Sequence, residues 1–74
     1  MLSRKPLHTG TVKFINYEKD YGFITPDDGD GTRAADIFFG VNLLQGRSAV
    51  DGQRVEFEAR QSPKGLRATI VVPL

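Results

Sequence analysis

Two aromatic rings separated by one glycine, Tyr21 and Phe23, are the side chains in this sequence best suited to binding chemistry. Side chains of a β-strand alternate between its two faces, so both rings point one way while Gly22 and Ile24 point the other. The rings then lie about 6.6 Å apart along the strand. Unpaired nucleic-acid bases stack on rings presented in this way, because every base has a π-face. Aromatic residues are also common in ordinary half-buried strands, so inward packing is the alternative interpretation.

Other residue types that could do chemistry are present, but they lack partners at a useful spacing. His8 is the only histidine and no cysteine accompanies it, which is typical of a surface residue near a terminus. Glu56 and Glu58 share a strand face with two arginines, a pattern that favours solvated ion pairs over paired catalytic carboxylates. Ser48 and Ser62 have no base in sequence range to activate them. The sequence therefore predicts a protein that is not an enzyme.

The acidic segment 27–32, rich in aspartate and glycine, resembles a fragment of a calcium-binding loop. An EF-hand loop needs glycine at its sixth position and a bidentate glutamate at its twelfth. Counted from Asp28, those positions hold Arg33 and Phe39, so the pattern fails. The segment is predicted to be a solvated hairpin loop, and we expect no metal, no cofactor and no small-molecule substrate.

Length and composition limit the class of protein. The 74 residues allow one domain, and the absence of cysteine excludes disulfide bonds. The formal net charge is only +1, so any binding of nucleic acid must depend on stacking and on the local placement of Lys and Arg. No apolar run is long enough to span a membrane. We expect a cytoplasmic protein in which residues 1–6 form a flexible leader and residues 7–74 form the domain.

Five short strands must position the candidate rings. The strands are predicted, from β-branched and aromatic content and from the turn residues between them, at 7–15, 21–26, 36–41, 54–60 and 66–72. Gly10 indicates a bend or bulge in the first strand, and one short helical turn is expected around Leu43 and Leu44. Strands of this number and length, with no amphipathic helix, predict an all-β fold built as an antiparallel sandwich or barrel.

Strand alternation divides the apolar side chains between a core and one outer face. The side chains predicted to form the core are Val12, Ile24, Ile37, Phe39, Val55 and Phe57. The rings left on the outer face are Tyr21, Phe23 and Phe38, with Phe14 joining them across the hairpin. Four rings facing water form an apolar patch that, on so small a protein, indicates a binding site. The basic side chains in segments that could rim this patch are Lys13, Lys19, Arg47, Lys64 and Arg67.

These segments together resemble a bacterial cold-shock domain protein. The matching stretches are 9–14, 19–29, 36–39, 50–57 and 64–65, and the second and third correspond to the two ribonucleoprotein motifs of that family. The resemblance extends over about residues 7–72. It implies a five-stranded antiparallel OB-type β-barrel that binds single-stranded RNA and DNA with little sequence choice. It also implies a role in RNA chaperoning or in the regulation of transcription or translation, often in the cold.

The predicted nucleic-acid-binding residues are Lys13, Phe14, Lys19, Tyr21, Phe23, Phe38, Arg47 and Lys64. The sequence departs from the family pattern where it has Phe14 for Trp, Ile15 for Phe, Gly40 for His, Val41 for Phe and Arg47 for a loop aromatic. We expect weaker binding over fewer nucleotides, because two or three stacking partners are lost. A protein-interaction module on the same barrel is the alternative function. A monomer is expected, and a strand-exchanged dimer is the alternative state.

Overall fold

The computed structural model describes residues 7–28 and 36–74, which form a closed barrel of five strands. The strands are β1 (His8–Asn16), β2 (Tyr21–Pro26), β3 (Ile37–Gly40), β4 (Arg54–Ser62) and β5 (Gly65–Pro73). Their order around the barrel is β1-β2-β3-β5-β4. The β1–β2, β2–β3, β4–β5 and β1–β4 pairs are antiparallel, and β3 pairs with β5 in parallel. The all-β, five-stranded barrel predicted from the sequence is confirmed.

The strands begin and end close to the predicted residues, and a short 3-10 helix at Val41–Leu44 occupies the position of the expected helical turn. The predicted leader, 1–6, lies outside the described residues, as does most of the acidic segment predicted to be a hairpin loop. In the part of the chain that the structure describes, no helix is long and apolar enough to cross a membrane.

The barrel interior contains the residues that strand alternation assigned to it. All six predicted core residues are buried, and Phe39, Ile24 and Val55 are completely inaccessible to solvent. The remaining buried side chains are Leu44, Ala49, Ala68 and Val71. The core is therefore filled by the inward residues of every strand and by the 3-10 helix.

A β-bulge at Lys13 interrupts the pairing of β1 with β2. Val12 pairs with Ile24, but the next described pair joins Phe14 to Phe23, so Lys13 is an extra residue in β1. Strict alternation would place Phe14 on the inward face together with Val12. The bulge turns the Phe14 ring to the outer face instead. The position of the Phe14 ring on the outer face therefore depends on this one bulge.

The sequence indicates a bend or bulge at Gly10, and the prediction of a bulge at this position is wrong. Gly10 pairs in regular register with Pro26, and a Cβ at this position would lie 2.7 Å from the carbonyl oxygen of Thr25. It would also lie 2.8 Å from the side chain of Ile24. The glycine is therefore explained by the close approach of β1 to β2, and not by a bulge.

The backbone around the bulge is held by the turn that precedes β4. The Val12 N–H donates to the carbonyl oxygen of Gln53, and the Gly52 N–H donates to the carbonyl oxygen of Val12, each at 2.8 Å. The Ile15 N–H donates to Oδ1 of Asp51 at 3.0 Å. Because these contacts satisfy groups that the β1–β4 ladder leaves unpaired, the second half of β1 is free to follow β2 alone.

An exposed cluster of polar side chains ties β1 to β4 and to the end of β2. The Arg54 guanidinium donates to both carboxylate oxygens of Asp27, at 2.7 and 2.6 Å, and the Thr9 hydroxyl donates to the same carboxylate at 2.7 Å. Arg54 also donates to the Thr11 hydroxyl at 2.9 Å. The hydrogen bonds from Arg54 and then Thr9 hold the pKa of Asp27 well below its usual range, and Asp27 in turn raises the pKa of Arg54.

Replacing Asp27 with asparagine is expected to lower stability at neutral pH and to have less effect in acid. Because the folded protein lowers the pKa of Asp27, the stabilisation is complete above about pH 4, the ordinary pKa of an unfolded Asp. It is lost as the pH falls below that value toward the folded pKa. Urea midpoints of both proteins, measured at neutral and at strongly acid pH, test this, with Asp28→Asn as control because that side chain is 74% exposed. An equal difference at both pH values would contradict it.

Candidate nucleic-acid interface

Three rings form a continuous cross-strand row on the outer face of the barrel. Phe14 on β1 pairs directly with Phe23 on β2, and Phe23 pairs directly with Phe38 on β3. Tyr21 lies two pairs further along β2, opposite Gly40. We call Phe14, Tyr21, Phe23 and Phe38 the aromatic platform. All four rings are half-buried, because they pack on one another while the core lies on the other face of their strands.

The rings of the platform are in mutual contact. The centroid of Phe23 lies 5.6 Å from that of Phe14 and 5.7 Å from that of Phe38. Tyr21 and Phe38 are nearly parallel, at an interplanar angle of 15° and a centroid distance of 5.9 Å. Such contacts fix the rings in position before a ligand arrives. The platform is therefore a preformed apolar surface of the kind on which bases stack.

Gly22 allows the platform to lie directly over the core. A Cβ at this position would come within 2.8 Å of the Phe14 carbonyl oxygen and of two ring atoms of Phe39. Both of these groups are fixed, one by the backbone and the other by complete burial. The glycine between the two rings of β2 is therefore required by packing beneath the platform, and any larger residue would push Phe39 or β1 away.

A groove of about 460 Å³ borders the platform on the side of β5. Its lining residues are Phe23, Asp36, Phe38, Lys64, Gly65, Leu66 and Arg67. The guanidinium of Arg67 lies over the Phe38 ring, 5.1 Å from its centroid. A smaller hollow of about 150 Å³, on the side of β1, is lined by Lys13, Phe14, Phe23 and Asp36. Both recesses place cationic side chains beside ring faces, which suits a ligand with stacked bases and phosphates.

The predicted basic residues differ in how closely they approach the platform. Lys13 lies beside Phe14, and its Nζ forms an ion pair with Asp36 Oδ2 at 2.8 Å. Lys64 lines the larger groove. Lys19 is exposed in the turn between β1 and β2, where its backbone N–H donates to the side chain of Asn16.

Arg47 lies in the loop after the 3-10 helix, and its side chain is held by backbone groups. Its Nε donates to the Leu44 carbonyl oxygen at 3.0 Å, and one terminal nitrogen donates to that of Val71 at 3.5 Å. None of the contacts in the described structure joins Arg47 to the four rings. The structure thus brings together Lys13, Lys64 and the platform, while Lys19 and Arg47 lie in flanking loops.

Comparison with known proteins identifies the family. The model of the 'Cold-shock' DNA-binding domain matches residues 8–74, which include every described strand. The chain belongs to the cold-shock domain family. It is 49% identical over 63 residues to the "Probable cold shock protein A" of Mycolicibacterium smegmatis, covering 81% of this chain and 88% of that protein.

Two further relatives extend over more of the chain. The "Major cold shock protein" of Micrococcus luteus is 44% identical over 68 residues, which are 88% of this chain and 96% of the relative. The "Cold shock-like protein CspA" of Shewanella violacea is 44% identical over 70 residues, covering 90% and 94% of the two chains. The predicted membership in the cold-shock family is therefore confirmed.

Cold-shock domains bind nucleic acid and are not enzymes, which confirms the predicted absence of enzymatic activity. Within residues 7–28 and 36–74, the structure forms no group of three or more His, Cys, Asp or Glu side chains that could hold a metal ion. The features of the outer face that can contact a ligand are therefore its aromatic rings and its charged side chains.

The aliphatic residues that depart from the family pattern support the core of this cold-shock domain. Ile15 and Val41 are partly buried and pack against the core cluster. Gly40 is paired with Tyr21, and a Cβ at Gly40 would lie 2.6 Å from the Asn42 Oδ1 atom. The Asn42 side chain therefore occupies the space beside Gly40. These three positions offer no ring face to a ligand.

Two charged residues of the larger groove lie outside the predicted binding set. The sequence pattern predicts Asp36 only as the start of a strand, whereas in the structure its carboxylate holds Lys13 beside the platform. Arg67 is among the basic residues predicted to rim the patch but is not among the predicted binding residues. Its contact with Phe38 depends on the parallel pairing of β3 with β5, which sequence alternation does not reveal. The sequence signal for this role of Arg67 is a positive charge shortly after the Lys-Gly turn.

Proposed function

We propose that this cold-shock domain binds single-stranded RNA and DNA by stacking bases on the aromatic platform. The observation that carries the proposal is the cross-strand row of Phe14, Phe23 and Phe38, with Tyr21 beside it. Each base stacked on such a ring contributes about 1–3 kcal/mol. Phosphate contacts from Lys13, Lys19, Arg47 and Lys64 add affinity that does not depend on sequence. Such binding suits a cytoplasmic RNA chaperone or a regulator of transcription or translation.

The reduced number of rings sets the expected strength of binding. Ile15, Gly40 and Val41 replace ring-bearing residues of the family pattern, so two or three stacking partners are lost. At about 1 kcal/mol or more for each lost partner, affinity falls roughly ten- to a thousandfold below that of a complete platform. The Lys13–Asp36 ion pair lowers it further at low salt, because Asp36 neutralises a cation that would otherwise face phosphate.

Titration of a short oligothymidine over a range of salt concentrations tests the proposed function. Binding to a single strand weakens with a slope of about −0.7, in log affinity against log salt, for each phosphate neutralised. We expect measurable binding at low salt. The slope should correspond to one to three neutralised phosphates, since few cations border the platform. No detectable binding of oligothymidine at low salt would exclude the proposed function.

A protein-interaction module is the second candidate function, and it is favoured by Gly40 and Val41, which offer no ring face where the family pattern has aromatic residues. In that case the outer face of the barrel has been adapted to another partner, since a fold does not determine its function. The salt series separates the two candidates, because association with a protein through the apolar rings need not weaken as salt rises. In either case we propose a monomer as the binding state.

A further inference from the structure

The cross-strand row of the platform continues past Phe38 into two arginines. β3 pairs with β5 through Phe38 and Arg67, and β5 pairs with β4 through Arg67 and Arg60. Directly paired side chains lie on the same face of a sheet, and the guanidinium of Arg67 indeed lies over the Phe38 ring. The row therefore crosses all five strands as three rings followed by two guanidinium groups.

Two arginines directly opposite each other are an unfavourable pair in a folded protein. Like charges at paired positions of neighbouring strands repel and are destabilising. Arg60 and Arg67 are both exposed, and neither forms an ion pair with any residue in the described ranges. By contrast, Arg54 at the other end of β4 is paired with Asp27 through both carboxylate oxygens. The Arg60–Arg67 pair is thus suited to an anion from outside the protein.

Asp36 and Glu58 already have hydrogen-bond partners of their own. Asp36 lines the same groove as Arg67, but its Oδ2 atom accepts a hydrogen bond from Lys13 Nζ. Glu58, on β4, accepts a hydrogen bond from the Thr69 hydroxyl at 3.3 Å. Among the charged residues that line the groove, Lys64 and Arg67 are cationic and Asp36 is anionic, so the β5 end keeps an excess of positive charge next to the ring that a base would occupy.

We propose that Arg67 and Arg60 bind the phosphodiester group of the nucleotide whose base stacks on Phe38. The proposal rests on the proposed function, and it adds one phosphate contact at the β5–β4 end of the row. The base takes the face of Phe38 that the Arg67 guanidinium covers in the free protein, and the guanidinium moves to the phosphate. The planar guanidinium makes two parallel hydrogen bonds to phosphate oxygens, which a lysine cannot make.

The salt dependence of oligothymidine binding tests this assignment. We compare the wild type with Arg60→Gln and Arg67→Gln, and use Arg54→Gln as a matched control that removes the same charge from β4 outside the row. Loss of one phosphate contact makes the slope shallower by about 0.7. The affinity lost relative to wild type is then about eightfold greater at 0.05 M salt than at 1 M salt. The slope for Arg54→Gln is expected to match that of the wild type.

Thermal stability provides a second measurement, which separates the proposed effect from misfolding because a misfolded variant would lose stability together with affinity. Arg60→Gln removes the repulsion within the pair, so its melting temperature at low salt is expected to exceed that of the wild type. Binding and stability then change in opposite directions. Arg67→Lys retains the charge, so it is expected to keep most of the salt slope while it loses affinity through the missing two-point contact.

The outcomes separate this proposal from the proposed function. If the wild type binds oligothymidine, but Arg60→Gln and Arg67→Gln leave the slope unchanged, the phosphate assignment is wrong while base stacking stands. The assignment is also wrong if Arg54→Gln reduces the slope as much as they do, because net charge then accounts for the effect. If the wild type shows no binding at low salt, both proposals fail together.

Discussion

Replacing Phe38 with alanine is expected to weaken the binding of a short oligothymidine by about 1–3 kcal/mol, or roughly 5- to 150-fold. The Phe38 ring lies at the middle of the outer-face row, between Phe23 and Arg67. Its removal takes away a stacking surface and also the ring that positions the Arg67 guanidinium. The side chain is half-buried and lies outside the core cluster, so the fold is expected to persist.

The measurement is a fluorescence or calorimetric titration, with circular dichroism to verify the fold. Phe23→Ala is expected to behave similarly, because its ring contacts the other three rings of the platform. Leu66→Ala is the matched control, since Leu66 lines the same groove without a π-face and should affect binding less. If Phe23→Ala and Phe38→Ala both bind as tightly as the wild type, the binding site lies elsewhere on the molecule.

Replacing the neighbouring residue, Phe39, with alanine is expected to have the largest effect on stability. Phe39 has no exposed surface and is the largest of the completely buried side chains. A Phe→Ala change in a packed core lowers the free energy of unfolding by about 3–5 kcal/mol, through lost burial and the cavity that remains. That is a large fraction of the roughly 5–15 kcal/mol that stabilises a typical domain.

Urea or thermal unfolding measures this change, and Phe38→Ala is its matched control. The two substitutions are identical in chemistry and adjacent in sequence, but the side chains lie on opposite faces of β3. Phe39→Ala is expected to lower the melting temperature by well over 10 °C, given about 4–8 °C per kcal/mol for a domain of this size. A Phe39→Ala protein as stable as Phe38→Ala would mean that the two faces of β3 have been assigned the wrong way round.

The inward and outward faces of most strands could be predicted from the sequence because alternation is a local property. In β4, Val55 and Phe57 alternate with charged residues, and both are buried in the structure. In β2, the glycine and Ile24 lie inward while the two rings lie outward. Burial of one face gives such strands a fixed orientation, so a single sequence is enough to read it.

The geometry of the binding surface could not be read in the same way, because it depends on how strands are registered against one another. Val12 and Phe14 are two residues apart, so alternation alone would place them on one face, and only the bulge at Lys13 separates them. That bulge is held by backbone contacts to Gly52 and Gln53, far along the chain. The contact of Arg67 with Phe38 likewise arises from long-range pairing, which no local pattern encodes.

Closure of the barrel leaves each of the five described strands hydrogen-bonded on both sides, so a second chain can exchange a strand only by first breaking a ladder. The seam between β3 and β5, where Phe38 meets Arg67, is the shortest ladder in the described structure. A ligand that touches both residues would hold this seam shut, because binding to the closed form alone stabilises that form by mass action. Nucleic acid bound across this seam would therefore oppose strand exchange.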